Sequence, residues 1–429
     1  MAQVGAVADA PETPALVTGR DRRARFGASG AFMIQGLLFA AVLSQVAVLQ
    51  QKFGFDELEL TVVLAGVPII AGVGSVLAGI IAPRAGSASV LRVVAILECA
   101  GAVAIGFADT RTQLYAAVGF FGLMVGAVDA TMNMQGVAVQ RRYGRSILAS
   151  CHGWWTVGGI LSAYVALEAA RRGSHFIGGA WIELSLRDFL IAFAAIGVII
   201  MLITGPFLLS KAEESARAGE LASASPAGAK VRWAPVVVVG LAVMVMYIGD
   251  SSTTNWSTVF MSDPAGLNAT GAWVQAGLFA YLGCQLIART VADRAIGRFG
   301  AAVTAVAGAI IAAGGFALVA WAQRPEVAVA GFALAGVGLS VVVPLSFSAA
   351  DALDPAGSGV VIARVNLFNY VGVIVGTAVI GVVADSAGLR TAFWVPAGVV
   401  LLIIFLAPAF RVVDAGIRAA RAARSSAAR

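Results

Sequence analysis

The stretch GAVDATMNMQG, residues 126–136, sets Asp129 inside an apolar run from Leu114 to Val139 that holds no other charge. Asn133 follows one helical turn later and shares its face. A second carboxylate, Asp250, opens the stretch DSSTTN, six consecutive polar residues within the apolar run 234–260. A third, Glu98, lies in the apolar run 89–108. A charge near the centre of a bilayer costs about 2.5–3.5 kcal/mol on insertion scales, so such a group faces a bundle interior or water. A carboxyl in a partly dry cavity can take up and release a proton, which makes Asp129 and Asp250 the candidates for proton coupling. The alternative for Asp129 is a fixed ion pair or gate latch, with Arg364 as its partner. Glu98 reads as a structural pairing residue.

Around these carboxylates stand neutral donors and acceptors. Gln35 and Gln45 in the first apolar run can orient a hydroxylated substrate. On a helix Asp250, Thr253, Thr254 and Ser257 share one face, while Ser251, Ser252 and Asn255 share another. Polarity on two faces of a membrane helix needs water, substrate or protein on both sides. A break in the helix there would free backbone groups for a ligand. The alternative is hydrogen bonding that holds helices together. Trp256 offers a flat apolar face to a sugar ring, or packs. Gln35, Asn133, Asn255 and Trp256 are therefore the candidate substrate contacts. His152, beside Trp154 and Trp155, reads as a helix-end histidine or a proton relay. Pro344 is expected to kink its helix.

The elements that position these residues follow from composition. The chain has 429 residues, of which 59% are hydrophobic and 12% charged, and its mean hydropathy is +0.89. Soluble domains carry about 25% charged residues. Apolar runs recur at 26–49, 58–81, 89–108, 114–139, 147–169, 188–209, 234–260, 272–292, 301–321, 327–350, 360–384 and 391–410. Each is long enough to cross a hydrocarbon core of about 30 Å as a helix. Unbroken apolar runs exclude a β-barrel, whose strands would alternate. The expectation is an all-α membrane protein of twelve transmembrane helices. The three cysteines, Cys99, Cys151 and Cys284, form no CxxC pair, and there are two histidines, so neither a metal site nor a disulfide framework is expected.

The net charge of +6 is distributed for a membrane, not for nucleic acid. Arg20, Arg22, Arg23, Arg25, Arg84, Arg92, Arg141, Arg142, Arg145, Lys211, Arg217, Lys230, Arg232, Arg294, Arg298 and the basic end from Arg411 to Arg429 fall in alternate loops. The opposite loops carry Asp56, Glu57, Glu59, Asp109 and Asp263. By the positive-inside rule both termini are cytoplasmic. The loop near 170–187, with Arg171, Arg172 and Arg187, is the exception. The first 24 residues lack a long apolar h-region, so they read as a cytoplasmic tail and not a signal peptide. The excess of Arg over Lys, with abundant Ala and Gly, suits a bacterial inner membrane. No G-x-x-x-x-G-K-[ST] loop is present, so ATP-driven pumping is not expected, nor is any cofactor. No nucleophile–base constellation marks an enzyme.

The polar stretch 211–233 divides the chain near its midpoint, and the halves resemble each other. GFFGLMVGAVDATM (119–132) aligns with GFALAGVGLSVVVP (331–344). IIAPRAG (80–86) aligns with TVADRAI (290–296), and WWTVGGILSAY (154–164) with FNYVGVIVGTA (368–378). The boundaries are a tail at 1–24, a six-helix bundle at 25–210, a linker at 211–233, a second bundle at 234–411 and a basic tail at 412–429. Duplicated bundles of this kind place substrate between them, near the midplane.

Two repeats of six spans, a central linker and cytoplasmic termini resemble the major facilitator superfamily. ARTVADRAIGRFG (288–300) resembles the family's loop pattern G-x-L-a-D-R-x-G-R-[KR] through Asp293, Arg294, Arg298 and Gly300. GIIAPRAGSASVLR (79–92) keeps Arg84 and Gly86, but Pro83 stands where the pattern has aspartate. The resemblance implies that these loops latch the cytoplasmic ends of the bundles, which makes Arg84, Asp293, Arg294, Arg298 and Arg364 the candidate gating residues. DATMNMQG, HGWWTVGG and GDSSTTNWS are similar to motifs of a bacterial subgroup related to fucose-permease-type sugar symporters. The fifth span lacks the G-P-x-x-G-G signature of drug–proton antiporters. What the resemblance implies is a monomeric secondary transporter working by alternating access. It would move a small polar, sugar-like metabolite with protons. The alternative is a proton-antiport exporter of amphipathic or drug-like compounds.

Overall fold

The computed structural model describes residues 17–55, 57–172, 175–177, 180–182, 185–214, 231–264 and 267–415. Most of the expected linker, the end of the basic tail and the first sixteen residues lie outside the described residues. The first half contains α1 (Gly19–Ser44), α2 (Val46–Phe53), α3 (Glu57–Ala85), α4 (Ser87–Phe107), α5 (Arg111–Tyr143), α6 (Leu148–Arg172) and α7 (Leu186–Thr204). The second contains α8 (Trp233–Ser262), α9 (Trp273–Phe299), α10 (Ala301–Trp321), α11 (Pro325–Leu339), α12 (Val342–Ala352), α13 (Val360–Ala387), α14 (Leu389–Ala392), α15 (Trp394–Val399) and α16 (Leu402–Leu406). A three-residue antiparallel hairpin, β1 (His175–Ile177) with β2 (Ala180–Ile182), joins α6 to α7. Among the described residues, ten helical segments are long and apolar enough to cross a membrane. By length α6 and α9, of 25 and 27 residues, complete twelve passes. The first, tenth and twelfth passes are broken into shorter helices.

Local chemistry sets the ends. α1 begins at Gly19, earlier than the apolar run, because Thr18 and Asp21 form a capping box that satisfies orphan N–H groups. Thr110 and Gln113 do the same for α5, and Gly144 at φ 58° ends it in the left-handed conformation. The tenth pass breaks between α11 and α12 four residues before Pro344. Proline has no N–H to give to the Ser340 carbonyl, and its ring crowds that oxygen. The Arg289 guanidinium, at 3.5 Å, takes up the freed acceptor.

The helices pair in the same way in each half. α1 packs on α6, α3 on α5, and α4 on α5 and α7; α8 packs on α13, α9 on α11, and α10 on α11 and on the pieces of the last pass. Lipid gives no hydrophobic drive for helix pairing, so close approach through small residues supplies it. Gly158 lies against the Met33 carbonyl, and Gly372 against the Met244 carbonyl, in the aligned positions of the two repeats. A Cβ on Gly126 would stand 1.7 Å from the Ala71 carbonyl oxygen. On the outside Ile69, Leu202, Trp321, Val382 and Phe405 are exposed, as lipid-facing side chains should be.

The first residues of the expected linker are fastened to the first half. Arg20 donates to both Glu213 oxygens at 2.8 Å, and this contact holds the Glu213 carboxyl down at about 2 from its ordinary 4.5. Its neighbour Glu214 behaves oppositely: burial pushes its carboxyl up, against hydrogen bonds from Ser87 and Gln135.

Two consequences are measurable. Gly126→Ala forces α3 and α5 apart and should cost about 1–3 kcal/mol. Gly66, inside the same helix and with no heavy atom within 4 Å of an added Cβ, is the control: Gly66→Ala should not lower the thermal midpoint of the purified protein and can raise it slightly. Glu213 is a carboxyl whose folded value is depressed, so its contribution is present above about pH 4.5 and fades as pH falls toward 2. The pair is partly exposed, so the effect is small. The difference in melting temperature between the wild type and Glu213→Gln should accordingly shrink on acidification from neutral pH, and an unchanged difference would remove the assignment.

Candidate functional site: a polar seam between the halves

The two halves meet along α3 with α13, and α6 with α9. Within this seam Asp129 is half-buried on α5. Tyr370 of α13 donates its hydroxyl to Asp129 Oδ2 at 2.8 Å, and Gln35 of α1 reaches Oδ1 at 3.4 Å. Asn366, one turn before Tyr370, donates to the Tyr370 hydroxyl at 3.1 Å and to Ser75 of α3 at 3.3 Å. Asp129 thus joins three helices of the first bundle to one of the second. Its partner is a tyrosine and not the expected Arg364, which forms no ion pair among the described residues. Arg364 sits one turn and a half before Tyr370 on α13, and a helix rotates it onto a different face.

Asn133 donates to the Asp129 backbone carbonyl at 2.8 Å. Its Oδ1 is buried without a hydrogen-bond partner, as is His152 Nε2. The His152 ring packs between Phe32, with centroids 4.8 Å apart, and Phe347 of the other half at 6.1 Å. Gln35 is 2% exposed and lies between Asp129 and Glu98.

Asp250 has its own tyrosine, but within its own half. Tyr281 of α9 donates to Asp250 Oδ1 at 2.6 Å, and Gln285 to the same oxygen at 3.5 Å. α9 carries Tyr281, Gln285, Arg289 and Asp293 at four-residue spacing, a polar stripe along one face. Arg289 is 4% exposed and crosses the seam to the Thr156 hydroxyl and the His152 carbonyl of α6. Sequence reasoning missed Arg289, Tyr281, Gln285 and Tyr370. The four-residue spacing of polar groups in an apolar helix was the available signal.

α8 runs unbroken through DSSTTN, so no backbone groups are freed there for a ligand. The hydroxyls of Ser251, Ser252, Thr253 and Thr254 turn back to carbonyls three or four residues earlier in the same helix. Such back-bonding satisfies them without water or ligand. Asn255 donates to the Thr377 hydroxyl at 2.7 Å, and the Trp256 indole to the Thr377 carbonyl at 3.3 Å. Both side chains thereby tie α8 to α13.

Toward the end that carries both termini, Arg141 of α5 pairs bidentately with Asp351 of α12, and Gln140 donates to Ser348. Asp293 accepts from the Ser146 hydroxyl at 2.6 Å and from the Ser150 N–H at 3.3 Å, at the start of α6. The negative side chain therefore sits at a helix N-terminus, where the backbone dipole favours it. The equivalent helix in the other half, α13, begins opposite Pro83, across a cleft of about 290 Å³. Its Gly359 N–H is taken instead by Asp354, 2.9 Å away and five residues earlier. Arg84 bonds back to the Ile80 carbonyl of its own helix, Arg294 is exposed, and Arg298 lies over the adjacent Phe299 ring. Of the candidate gating residues, the structure brings Asp293 alone into a bond between the halves. Among the described residues, the bonds joining the halves run from the level of Asp129 to this termini-bearing end.

The family model described as Major Facilitator Superfamily matches residues 26–368. This chain belongs to the major facilitator superfamily. It is 27% identical over 387 residues to y4wD of Sinorhizobium fredii, named as an uncharacterized transporter, covering 90% of this chain and 97% of that one. Among solved structures it is similar to the superfamily transporter FucP in its outward conformation, with a TM-score of 0.69 at 15% identity, covering 89% and 97%. The human organic anion transporter MFSD10 is equally similar, with a TM-score of 0.69 at 15% identity, covering 91% and 100%. At these identities the structural likeness shows the fold alone. The chain is a membrane transporter of this superfamily.

The Arg141–Asp351 ion pair joins the halves with side chains only 15% and 12% exposed. Removing one partner of a buried pair costs about 3–5 kcal/mol. Asp351→Asn should therefore open the termini-bearing end. A cysteine placed at Ala356 in a Cys-free background should then react faster with a water-soluble maleimide, and the exchange Arg141→Asp with Asp351→Arg should slow it again. Equal labelling in all three proteins would exclude the pair as a latch.

Proposed function

We propose that this transporter is a proton-coupled secondary carrier of a small polar, sugar-like metabolite, working by alternating access. The supporting observation is the Tyr370–Asp129 hydrogen bond, 2.8 Å long, between the second bundle and the first. A hydrogen bond to an ionised carboxylate is roughly twice as strong as one between neutral groups. Ionised, Asp129 draws α13 onto α5. Protonated, it loosens the seam at the level where the bundles meet. The protonation state of one group is thereby linked to the approach of the two halves, which is what coupling requires.

Asp250, with Tyr281, Gln285 and the nearby Arg289, is the second candidate proton-binding group. The unpartnered buried Asn133 Oδ1 is an acceptor aimed at a substrate hydroxyl or amine. Gln35 sets the Asp129 side of the site. Asn255 and Trp256 contribute by holding α8 on α13, and they meet substrate only where Thr377 is released. In a bacterial plasma membrane with cytoplasmic termini, the halves are closed on the cytoplasmic side, so the conformation described here is outward-facing. The sugar-like class rests on the motifs of the fourth, fifth and seventh spans and on the fold shared with a structure described as the fucose:proton symporter FucP of E. coli, with a TM-score of 0.65.

Purified protein in liposomes carrying an internal pH dye, challenged with a panel of sugars and small acids, tests this reading. A substrate should drive internal acidification together with its own entry. Asp129→Asn should abolish proton movement, a loss of at least about tenfold, while exchange of labelled substrate across the membrane persists. Uptake that is unchanged by pH in the wild type would overturn proton coupling. Alkalinisation driven by an amphipathic compound would replace the symporter by the antiport exporter.

A further inference from the structure

Glu98 has no role in the mechanism above, yet it is wholly buried, 0% exposed, on α4. Among the described residues no Lys, Arg or His pairs with it. The helix that carries it, α4, packs on α1, α3, α5 and α7. α1 contributes Gln35 and α5 contributes Asp129. α7 contributes Gly197, packed on Cys99 next to Glu98 in sequence. The remaining titratable groups at Asp129 are Tyr370 of α13 and Tyr247 of α8. No cation faces either carboxyl within this group.

The Gln35 amide lies between the two carboxyls. In one orientation its NH₂ donates to Asp129 Oδ1 at 3.4 Å. Turned over, the same NH₂ donates to both Glu98 oxygens at 2.9 Å. The amide has one donating end and one accepting end. Whichever carboxyl meets the NH₂ can be ionised. The other meets the amide oxygen and needs its own O–H to make a hydrogen bond. Two ionised carboxylates would leave the amide oxygen against a negative charge, in an apolar bundle where an unpaired charge is costly. Two protonated carboxyls would leave the NH₂ with neutral acceptors only, a carboxyl C=O and the Val125 backbone carbonyl at 3.4 Å, and so without a charge-assisted bond.

We infer that Glu98 and Asp129 hold a single proton between them, with the Gln35 amide oriented by whichever of the two is ionised. Glu98 is then the inner store of a two-carboxyl carrier whose outer member, Asp129, faces the seam. In the state with ionised Asp129, Glu98–OH donates to Gln35 Oε1 and Gln35 Nε2 donates to Asp129. In the other state, Asp129–OH donates to Gln35 Oε1 and Nε2 donates to Glu98. Atoms and charge are the same in both, one proton and one negative charge. Interacting sites of this kind titrate as a pair and not one by one.

The role in transport rests on Asp129 being the proton carrier, but the sharing itself can be read without any substrate. Infrared spectra of the full-length protein in lipid at neutral pH measure the protonated-carboxyl stretch, and difference spectra against wild type cancel the other acids. An amide mimics a protonated carboxyl at either position. Glu98→Gln and Asp129→Asn should each remove the same one-proton intensity, since each lets the surviving carboxyl ionise. Gln35→Met, which deletes the donor, should raise that intensity about twofold. If one of the two variants removes the band and the other leaves it untouched, the carboxyls are independent and the inference fails. It fails equally if Gln35→Met changes nothing while the protein still elutes as a folded species. A band that obeys the expectation in a protein that moves no protons would retain the pair and refute the transport reading, so the two failures are distinct.

Discussion

The hydrogen bond from Tyr370 to Asp129 is the contact on which the arrangement of the two halves turns. In a bilayer, helices gain nothing by hiding apolar surface from one another, because lipid is as apolar as leucine. Cohesion between bundles must come from close packing and from the few polar groups present. In each half glycines let backbones touch, as Gly126 does on Ala71 and Gly372 on Met244. Between the halves polar bonds are prominent, namely Tyr370 with Asp129, Asn366 with Ser75, Arg289 with Thr156, and the Arg141–Asp351 pair. Rigid halves and a polar seam are the physical conditions for rocking. The first keeps each bundle intact while the second can be made and broken by water, protons or substrate.

The latch at the termini-bearing end shows how one fold tolerates the loss of a motif residue. In the second half Asp293 reaches across to the start of α6. In the first half Pro83 offers no carboxylate to the start of α13, and a buried helix N-terminus still needs an acceptor. Asp354 supplies it from the adjoining turn. The cost of that solution is that the cap no longer spans the two bundles. Arg141 with Asp351 provides the bond between them on that side. The two bonds that join the halves at this end are therefore chemically different, one a carboxylate on a helix start and the other an ion pair.

Much of this was legible in the sequence, because the rules that govern membrane helices act locally. Apolar runs of about twenty residues give the spans, and Pro344 gives the break in the tenth pass, whereas the start of α1 at Gly19 lies inside the expected tail. The aligned stretches WWTVGGILSAY and FNYVGVIVGTA carry Gly158 and Gly372, which make equivalent contacts of α6 on α1 and of α13 on α8. What was not legible depended on rotation about helix axes and on distance through space. The partner of Asp129 is 241 residues away in sequence, and no charge complementarity announces a tyrosine. At DSSTTN, polarity on two helix faces pointed to water, substrate or protein on both sides, whereas short hydroxyl side chains can bond to their own backbone and remain dry. Gln35 and Glu98 read as unrelated residues until α1 and α4 are packed together.

Asp129 and Asp250 look like equivalent carboxylates on pseudo-symmetric scaffolds, each with a tyrosine hydroxyl, but their connections separate their capacities. Tyr281 and Asp250 belong to the same half, so a change of charge on Asp250 alters the packing of α8 on α9 and leaves the seam in place. Tyr370 and Asp129 belong to different halves, so the same change acts on the seam itself. A ligand or proton shifts a conformational equilibrium only through its differential interaction with the two states. On that ground Asp129 has the leverage to bias the approach of the bundles directly. Asp250 gains such leverage only through Arg289, whose guanidinium, two turns along α9 from Tyr281, crosses to α6. The carboxylate bonded across the seam thus lies in the first half, and the one bonded within its own half lies in the second.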